Sequence, residues 1–162
     1  MAPELEPVLR SAKRGELSSV RTALDGGLPV DAAGEKGLTL LIAAATAGQA
    51  EVVAELLDRG ADVEKGNEGG RTPLASAAYR GRVDVIRLLA EHGAEIDFVD
   101  SSGRTALMYA AMFNQPEGAW ALLDVGADAE AKDPGGRTAL QMARAVGSTG
   151  VADVLEGGQR PA

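Results

Sequence analysis

The chain contains no cysteine and only one histidine, His92. Without cysteine the protein has no disulfide bond, no thiolate nucleophile and no cysteine-bound zinc. A single histidine leaves no pair of imidazoles to hold a metal ion, and we therefore predict no cofactor. We interpret His92 as a surface residue near the end of a helix, where a cation interacts favourably with the helix dipole.

Aromatic residues and long apolar segments are also scarce. Aromatic residues make up 3% of the chain although 45% of it is hydrophobic, so the core has to be aliphatic and rich in alanine. No apolar run approaches the roughly 20 residues of a membrane-spanning helix. The N-terminus lacks the basic start and apolar stretch of a secretory signal. We expect a cytoplasmic protein with no membrane segment.

Basic residues are outnumbered by acidic ones, 16 to 24, and the formal charge is −8. This balance argues against a nucleic-acid partner, because proteins that bind nucleic acids usually carry an excess of basic residues. It also argues against adsorption to an anionic membrane. The chain has no phosphate-binding glycine loop of the usual spacing. Its carboxylate pairs recur along the chain instead of forming one catalytic dyad. We therefore predict that the protein is not an enzyme.

The strongest positive signal is an internal period of 33 residues. Glycines, threonines, leucines and alanines all recur at this spacing, in phase with one another. The recurring residues are Gly37, Gly70, Gly103 and Gly136; Thr39, Thr72, Thr105 and Thr138; Leu41, Leu74, Leu107 and Leu140; and Ala44, Ala77, Ala110 and Ala143. Two further rows are Gly15, Gly48, Gly81, Asn114 and Gly147, and Gly27, Gly60, Gly93 and Gly126.

Each period predicts two short helices and a projecting loop, as residues 67–99 illustrate. Thr72 is suited to cap a first helix, with Pro73 in its first turn. Gly81 is suited to end that helix in a left-handed conformation. A second helix then runs to Gly93, and an extended connection follows. Two short helices cannot bury their apolar faces alone, so neighbouring units have to stack.

These residues resemble the ankyrin repeat, with its 33-residue period and its Thr-Pro-Leu-His-x-Ala signature. The matching segments begin at Thr39, Thr72, Thr105 and Thr138 and end at the alanine five residues later. Segments of the Gly-Ala-Asp-Val type also recur, beginning at Gly60, Gly93 and Gly126. The resemblance implies an all-α ankyrin-repeat solenoid of stacked helix-turn-helix units with projecting β-turn loops.

We expect one domain over residues 4–156, made of five units, with a disordered tail over 157–162. The expected units are 4–33 as an N-terminal cap, 34–66, 67–99, 100–132, and 133–156 as a C-terminal cap. In the fourth unit Asn114 replaces the glycine that ends the first helix, and asparagine tolerates that conformation. In the same unit Gly118 and Ala119 replace larger residues, so we expect an under-packed second helix. Trp120 either covers that gap or lies exposed on the convex side.

The resemblance also implies a concave recognition surface, built from loop tips and the ends of the first helices. We predict that a partner binds at Arg71, Tyr79, Arg80, Arg104, Met112, Phe113 and Arg137. Arginine and aromatic residues dominate the energetics of many interfaces. Two other interpretations stay open. The arginine row could be solvated or paired with loop acids, and Tyr79, Met112 and Phe113 could serve packing between repeats.

We therefore predict a monomeric, non-catalytic protein–protein interaction module or scaffold. Its partner would be another protein, bound through an acidic or amphipathic segment. One alternative is a stoichiometric inhibitor or immunity-type protein that blocks a partner enzyme with the same groove. The others are a small-molecule binder or enzyme, revealed by turnover or by stabilisation with metabolites, and a structural spacer with no specific partner.

Overall fold

The computed structural model describes residues 3–162, which form ten α-helices in five consecutive helix-turn-helix pairs. In chain order the helices are α1 (Leu5–Arg14), α2 (Leu17–Asp25), α3 (Leu40–Ala47), α4 (Ala50–Asp58), α5 (Pro73–Tyr79), α6 (Val83–Glu91), α7 (Ala106–Met112), α8 (Pro116–Asp124), α9 (Ala139–Val146) and α10 (Thr149–Leu155). Within the described residues there is no β-strand, only an isolated bridge between Ala33 and Thr39. The all-helical prediction is confirmed.

The periodic threonines and glycines set the ends of the first helices. Each threonine precedes a first helix and its hydroxyl accepts the backbone N–H three residues later; these are Thr39, Thr72, Thr105 and Thr138. Such caps satisfy one of the free N–H groups of a helix start and contribute about 1 kcal/mol each. At the other end, Asn114 takes the predicted left-handed conformation with φ 49°, as the four glycines of its row do.

The helices form two rows along the stack. The first helices of the five pairs, α1, α3, α5, α7 and α9, pack successively against one another, and the second helices do the same. Contacts are more extensive between neighbouring first helices than between neighbouring second helices. We call the side of the stack formed by the first helices and the loop turns the concave side, as the ankyrin resemblance implies.

The core is aliphatic and rich in alanine, as the composition predicts. Every residue from Leu40 to Ala45 in α3 is buried, and so is every residue from Ala106 to Ala111 in α7. A helix that is buried on all sides needs neighbours on all sides. In the three inner first helices, α3, α5 and α7, only the last positions therefore remain accessible.

Helix α8 departs from the expectation of a gap. A Cβ at Gly118 would lie 3.0 Å from the Cα of Gly81, so the two backbones pack directly against each other. Ala119 is fully buried. The predicted under-packing is therefore wrong here, because the small residues allow close approach of the helix instead of leaving a hole.

Trp120 neither fills a gap in the core nor lies fully exposed on the convex side. It is half-buried and packs against the core. It also borders a cavity of about 220 Å³ on the outer helices, together with Val83, Arg87 and residues 160–162. The last residues of the chain have no helical structure and lie beside this outer face. They do not line the concave surface, and the disorder of residues 157–162 stays a prediction.

Loop carboxylates connect neighbouring units by hydrogen bonds. The side chain of one loop accepts a backbone N–H from the next loop along the stack. The pairs are Asp31 with Asp62 at 3.0 Å, Glu64 with Glu95 at 2.5 Å, and Asp97 with Asp128 at 2.9 Å. These bonds explain why the carboxylates recur once per unit, and they give them a structural role.

Candidate polypeptide-binding surface

Three loop turns place the predicted arginine row. In each turn the side-chain Oδ1 of one residue accepts the backbone N–H of the arginine four residues later. The pairs are Asn67 with Arg71 at 3.0 Å, Asp100 with Arg104 at 3.1 Å, and Asp133 with Arg137 at 2.8 Å. Asn and Asp favour such turns because their short side chains reach the backbone two to four residues ahead. The glycine before each arginine has positive φ.

Four of the predicted residues form one contact cluster. The rings of Tyr79 and Phe113 meet edge-to-face, with centroids 4.3 Å apart and an angle of 77° between their planes. The guanidinium carbon of Arg71 lies 5.4 Å from the Tyr79 centroid, and that of Arg80 lies 5.3 Å from it. Edge-to-face rings and cations over ring faces are both favourable geometries. We call Arg71, Tyr79, Arg80, Tyr109 and Phe113 the aromatic cluster.

Tyr109, which is not among the predicted contact residues, also belongs to this cluster. The guanidinium carbon of Arg71 lies 5.9 Å from its ring centroid. Its hydroxyl donates a hydrogen bond to Oδ2 of the buried Asp100. Burial raises the pKa of the Tyr109 phenol, and the Asp100 carboxylate adds to that rise, so the hydroxyl stays protonated as a donor. The sequence does distinguish Tyr109, because it is the one aromatic residue at its position in the repeat. The equivalent residues in other units are Ala43, Ser76 and Met142.

The second polar atom of each turn residue explains why the three arginines differ. The Asn67 amide offers its NH₂ group, which cannot accept from a guanidinium, and Arg71 lies against the two tyrosine rings instead. Asp100 Oδ2 is already bonded to Tyr109. Asp133 Oδ2 has no such tyrosine and accepts from Nε and Nη2 of Arg137 at 3.1 and 2.9 Å.

The predicted row is therefore not uniform. Arg71 joins the aromatic cluster, and Arg104 is half-buried beside Tyr109. Arg137 is exposed but paired with a loop acid, as one of the open interpretations proposed. Met112 is half-buried and packs against the core, so it serves packing between repeats at least in part. Phe113 is 44% exposed, more than either tyrosine of the cluster.

A groove lies next to the aromatic cluster on its N-terminal side. It encloses about 390 Å³ between the ends of α1, α3 and α5. Its lining residues are Lys13, Ala43, Thr46, Ala47, Arg80 and Arg82. Small residues at the end of α3 open this space, because the equivalent positions of α5 carry Tyr79 and Arg80.

His92 is exposed, and its Nδ1 lies 2.9 Å from the carbonyl oxygen of Leu88. No group of three or more metal-ligating side chains within residues 3–162 is placed to hold an ion. Across the same residues, no helix has the length and apolar content needed to cross a bilayer.

Comparison with known families gives one match. A family model of ankyrin repeats matches in three overlapping copies, over residues 8–100, 64–133 and 93–158. These copies cover nearly the whole chain and agree with the stacked helix pairs of the structure. No curated protein matches the chain.

Proposed function

Because this chain belongs to the ankyrin repeat family, whose repeats generally act as protein–protein interaction modules, we propose that it binds a partner polypeptide on its concave surface. The proposed contact residues are Arg71, Tyr79, Arg80, Arg104, Met112, Phe113 and Arg137. We propose further that the protein acts by binding alone and performs no catalysis.

The observation that carries this proposal is the concentration of aromatic side chains. The chain has five aromatic residues, and three of them, Tyr79, Tyr109 and Phe113, lie in one concave cluster with two arginines over the rings. A core that is otherwise aliphatic has no general need for this clustering. Aromatic and arginine side chains supply most hot spots of protein interfaces, since they offer large apolar area and directed hydrogen bonds.

The geometry also favours tight recognition. The Arg71 guanidinium lies against the rings of Tyr79 and Tyr109, and the Tyr109 hydroxyl is bonded to the buried carboxylate of Asp100. Immobilising a flexible side chain at an interface costs about 0.5–1.5 kcal/mol in conformational entropy. A side chain that is already fixed before binding avoids most of this cost.

Affinity capture from the native lysate, read by mass spectrometry, tests the proposal. The bait is the whole chain, beside a variant with Arg80, Met112 and Phe113 replaced together by serine. A matched control replaces Ser19, Glu51 and Glu117 by alanine, all exposed on second helices. We expect a specific partner with the wild type and the control, and its loss with the concave variant. Equal recovery with all three folded baits would overturn the proposal.

The identity of a captured partner also separates an adaptor from an inhibitor. If the partner is one enzyme, its activity is measured with the protein added in equimolar amount. Complete inhibition would assign the stoichiometric inhibitor role to this surface, and unchanged activity would assign the adaptor role. Both outcomes use the same concave residues.

A further inference from the structure

The concave surface changes its chemistry along the stack. One row of equivalent positions at the ends of the first helices contains Arg14, Ala47, Arg80, Phe113 and Val146. The first part of this row is polar or small. The last two residues are large apolar side chains that are 44% and 56% exposed. Two of the three large apolar side chains described as exposed therefore lie next to each other in one row.

The N-terminal part of the surface is cationic. Lys13, Arg80 and Arg82 surround the groove of about 390 Å³, whose floor is made of small residues of α3. Nε of Arg82 donates to the carbonyl oxygen of Thr46 at 3.1 Å, which fixes that guanidinium at the rim. Arg80 lies over the Tyr79 ring, which fixes the second one.

These groove cations lack internal counter-charges, in contrast to the arginines of the outer helices. Arg21, Arg59 and Arg87 on the outer side all form ion pairs with carboxylates. Among residues 3–162, by contrast, no carboxylate forms an ion pair with Lys13, Arg80 or Arg82. Three basic side chains therefore line one groove without a paired carboxylate, in a protein whose net charge is −8. A potential of this kind attracts an anionic partner and sets its register.

We propose that the partner segment is bipartite, with acidic residues at one end and an apolar anchor at the other. Its acidic end occupies the groove of Lys13, Arg80 and Arg82, and its apolar end packs on Phe113 and Val146. This inference rests on the proposed function and assigns Lys13, Arg82 and Val146 to the binding surface. The exposed apolar half favours a polypeptide over a nucleic acid, whose affinity comes mainly from phosphate contacts.

The stacking distance gives the length of the segment. Neighbouring packed helices lie roughly 8–10 Å apart, so the distance from α3 to a point between α7 and α9 is roughly 20–25 Å. An extended chain advances roughly 3.3 Å per residue, so the acidic and apolar groups are separated by roughly six to eight residues.

Selection from a library of displayed random peptides tests the inference, with the immobilised whole chain as the target. We expect the enriched peptides to carry an acidic cluster and an apolar residue at the stated separation. A Lys13→Glu/Arg80→Glu variant should lose the acidic enrichment and keep the apolar one. A Phe113→Ser/Val146→Ser variant should do the opposite. Arg82 stays unchanged in both, because its bond to Thr46 supports the fold.

A synthetic peptide with the enriched sequence then gives the magnitude. We expect the charge-reversed variant to bind it at least about tenfold more weakly, and the affinity of the wild type to fall as salt is added. Circular dichroism and thermal unfolding of each variant confirm that it is folded.

The outcomes separate this inference from the proposed function. Enriched peptides without acidic residues, or an acidic preference that survives charge reversal, would overturn the bipartite partner while leaving concave binding intact. Preferential binding of a single-stranded oligonucleotide or of anionic vesicles through Lys13 and Arg80 would also overturn it. Failure to enrich any peptide would overturn the inference, whereas the proposed function is decided separately by the lysate capture.

Discussion

Replacing Tyr109 by phenylalanine should destabilise the protein, although the ring and its packing remain. The substitution removes only the hydroxyl that donates to Oδ2 of Asp100. Asp100 is 9% exposed, so little water can replace the lost donor. Leaving a buried acceptor without its partner costs about 1–3 kcal/mol. For a chain of this size we expect the midpoint of thermal unfolding to fall by roughly 2–12 °C.

Tyr79 provides the matched control, because its ring lies in the same cluster but its hydroxyl forms no hydrogen bond within residues 3–162. Tyr79→Phe should change the free energy of unfolding by less than about 0.5 kcal/mol. Urea denaturation of both variants, followed by circular dichroism, measures the two values. An unchanged stability of Tyr109→Phe, or an equal loss in Tyr79→Phe, would refute the assigned role of the Tyr109 hydroxyl.

Three further predictions concern the backbone and the loop acids. Asn114→Ala should cost about 1 kcal/mol and Asn114→Gly should not, because alanine is strained in the left-handed conformation. Gly118→Ala should destabilise by about 1–3 kcal/mol, since its Cβ would lie 3.0 Å from the Cα of Gly81. The free energy of unfolding of the Glu64→Gln variant should increase relative to that of the wild type as the pH rises from acidic to neutral, because burial raises the pKa of Glu64. Urea denaturation measures the free energy of unfolding of each variant, and for Glu64→Gln and the wild type it is repeated at several pH values.

The sign of the Glu64 effect follows from linkage. A carboxyl group with a raised pKa in the folded state favours folding when it is neutral. Its contribution is complete below its unfolded pKa of about 4.3 and is lost as the pH rises through the folded value. Glutamine removes this dependence and keeps an oxygen to accept the Glu95 N–H.

Specific results would contradict these three predictions. A constant difference between Glu64→Gln and the wild type across that pH range would contradict the raised pKa. A stabilised Gly118→Ala variant would show that helix propensity outweighs the contact with Gly81. Equal stabilities of the alanine and glycine variants at Asn114 would contradict the predicted strain.

Local features of the fold could be predicted from the sequence because their causes are local. Thr105 caps α7 through a contact three residues away, and Asn114 ends the helix turn through its own backbone angle. Both effects repeat every 33 residues, which makes them visible without any tertiary information. The stacked arrangement follows, since such short helix pairs have no other way to bury their apolar faces.

Features that depend on a neighbour could not be read in the same way. Gly118 looks like a missing side chain until the backbone of Gly81 is placed against it. Likewise, Arg71 and Arg137 occupy equivalent positions, yet one lies on tyrosine rings and the other on a carboxylate. The two arginines differ because the side chain of Asn67 offers its NH₂ group as a donor, whereas Oδ2 of Asp133 is a free acceptor. Whether such an oxygen is free can be seen only from the tertiary contacts of the turn residue.

The most direct measurement for the central claim is amide and methyl NMR of the whole chain, titrated with the captured partner or a peptide selected on the immobilised protein. We predict that the shift changes concentrate at the ends of α3, α5, α7 and α9 and in the turns at Arg71 and Arg104. Changes confined to the second helices, around Trp120 and α6, would place the binding site on the opposite face and contradict the concave recognition surface.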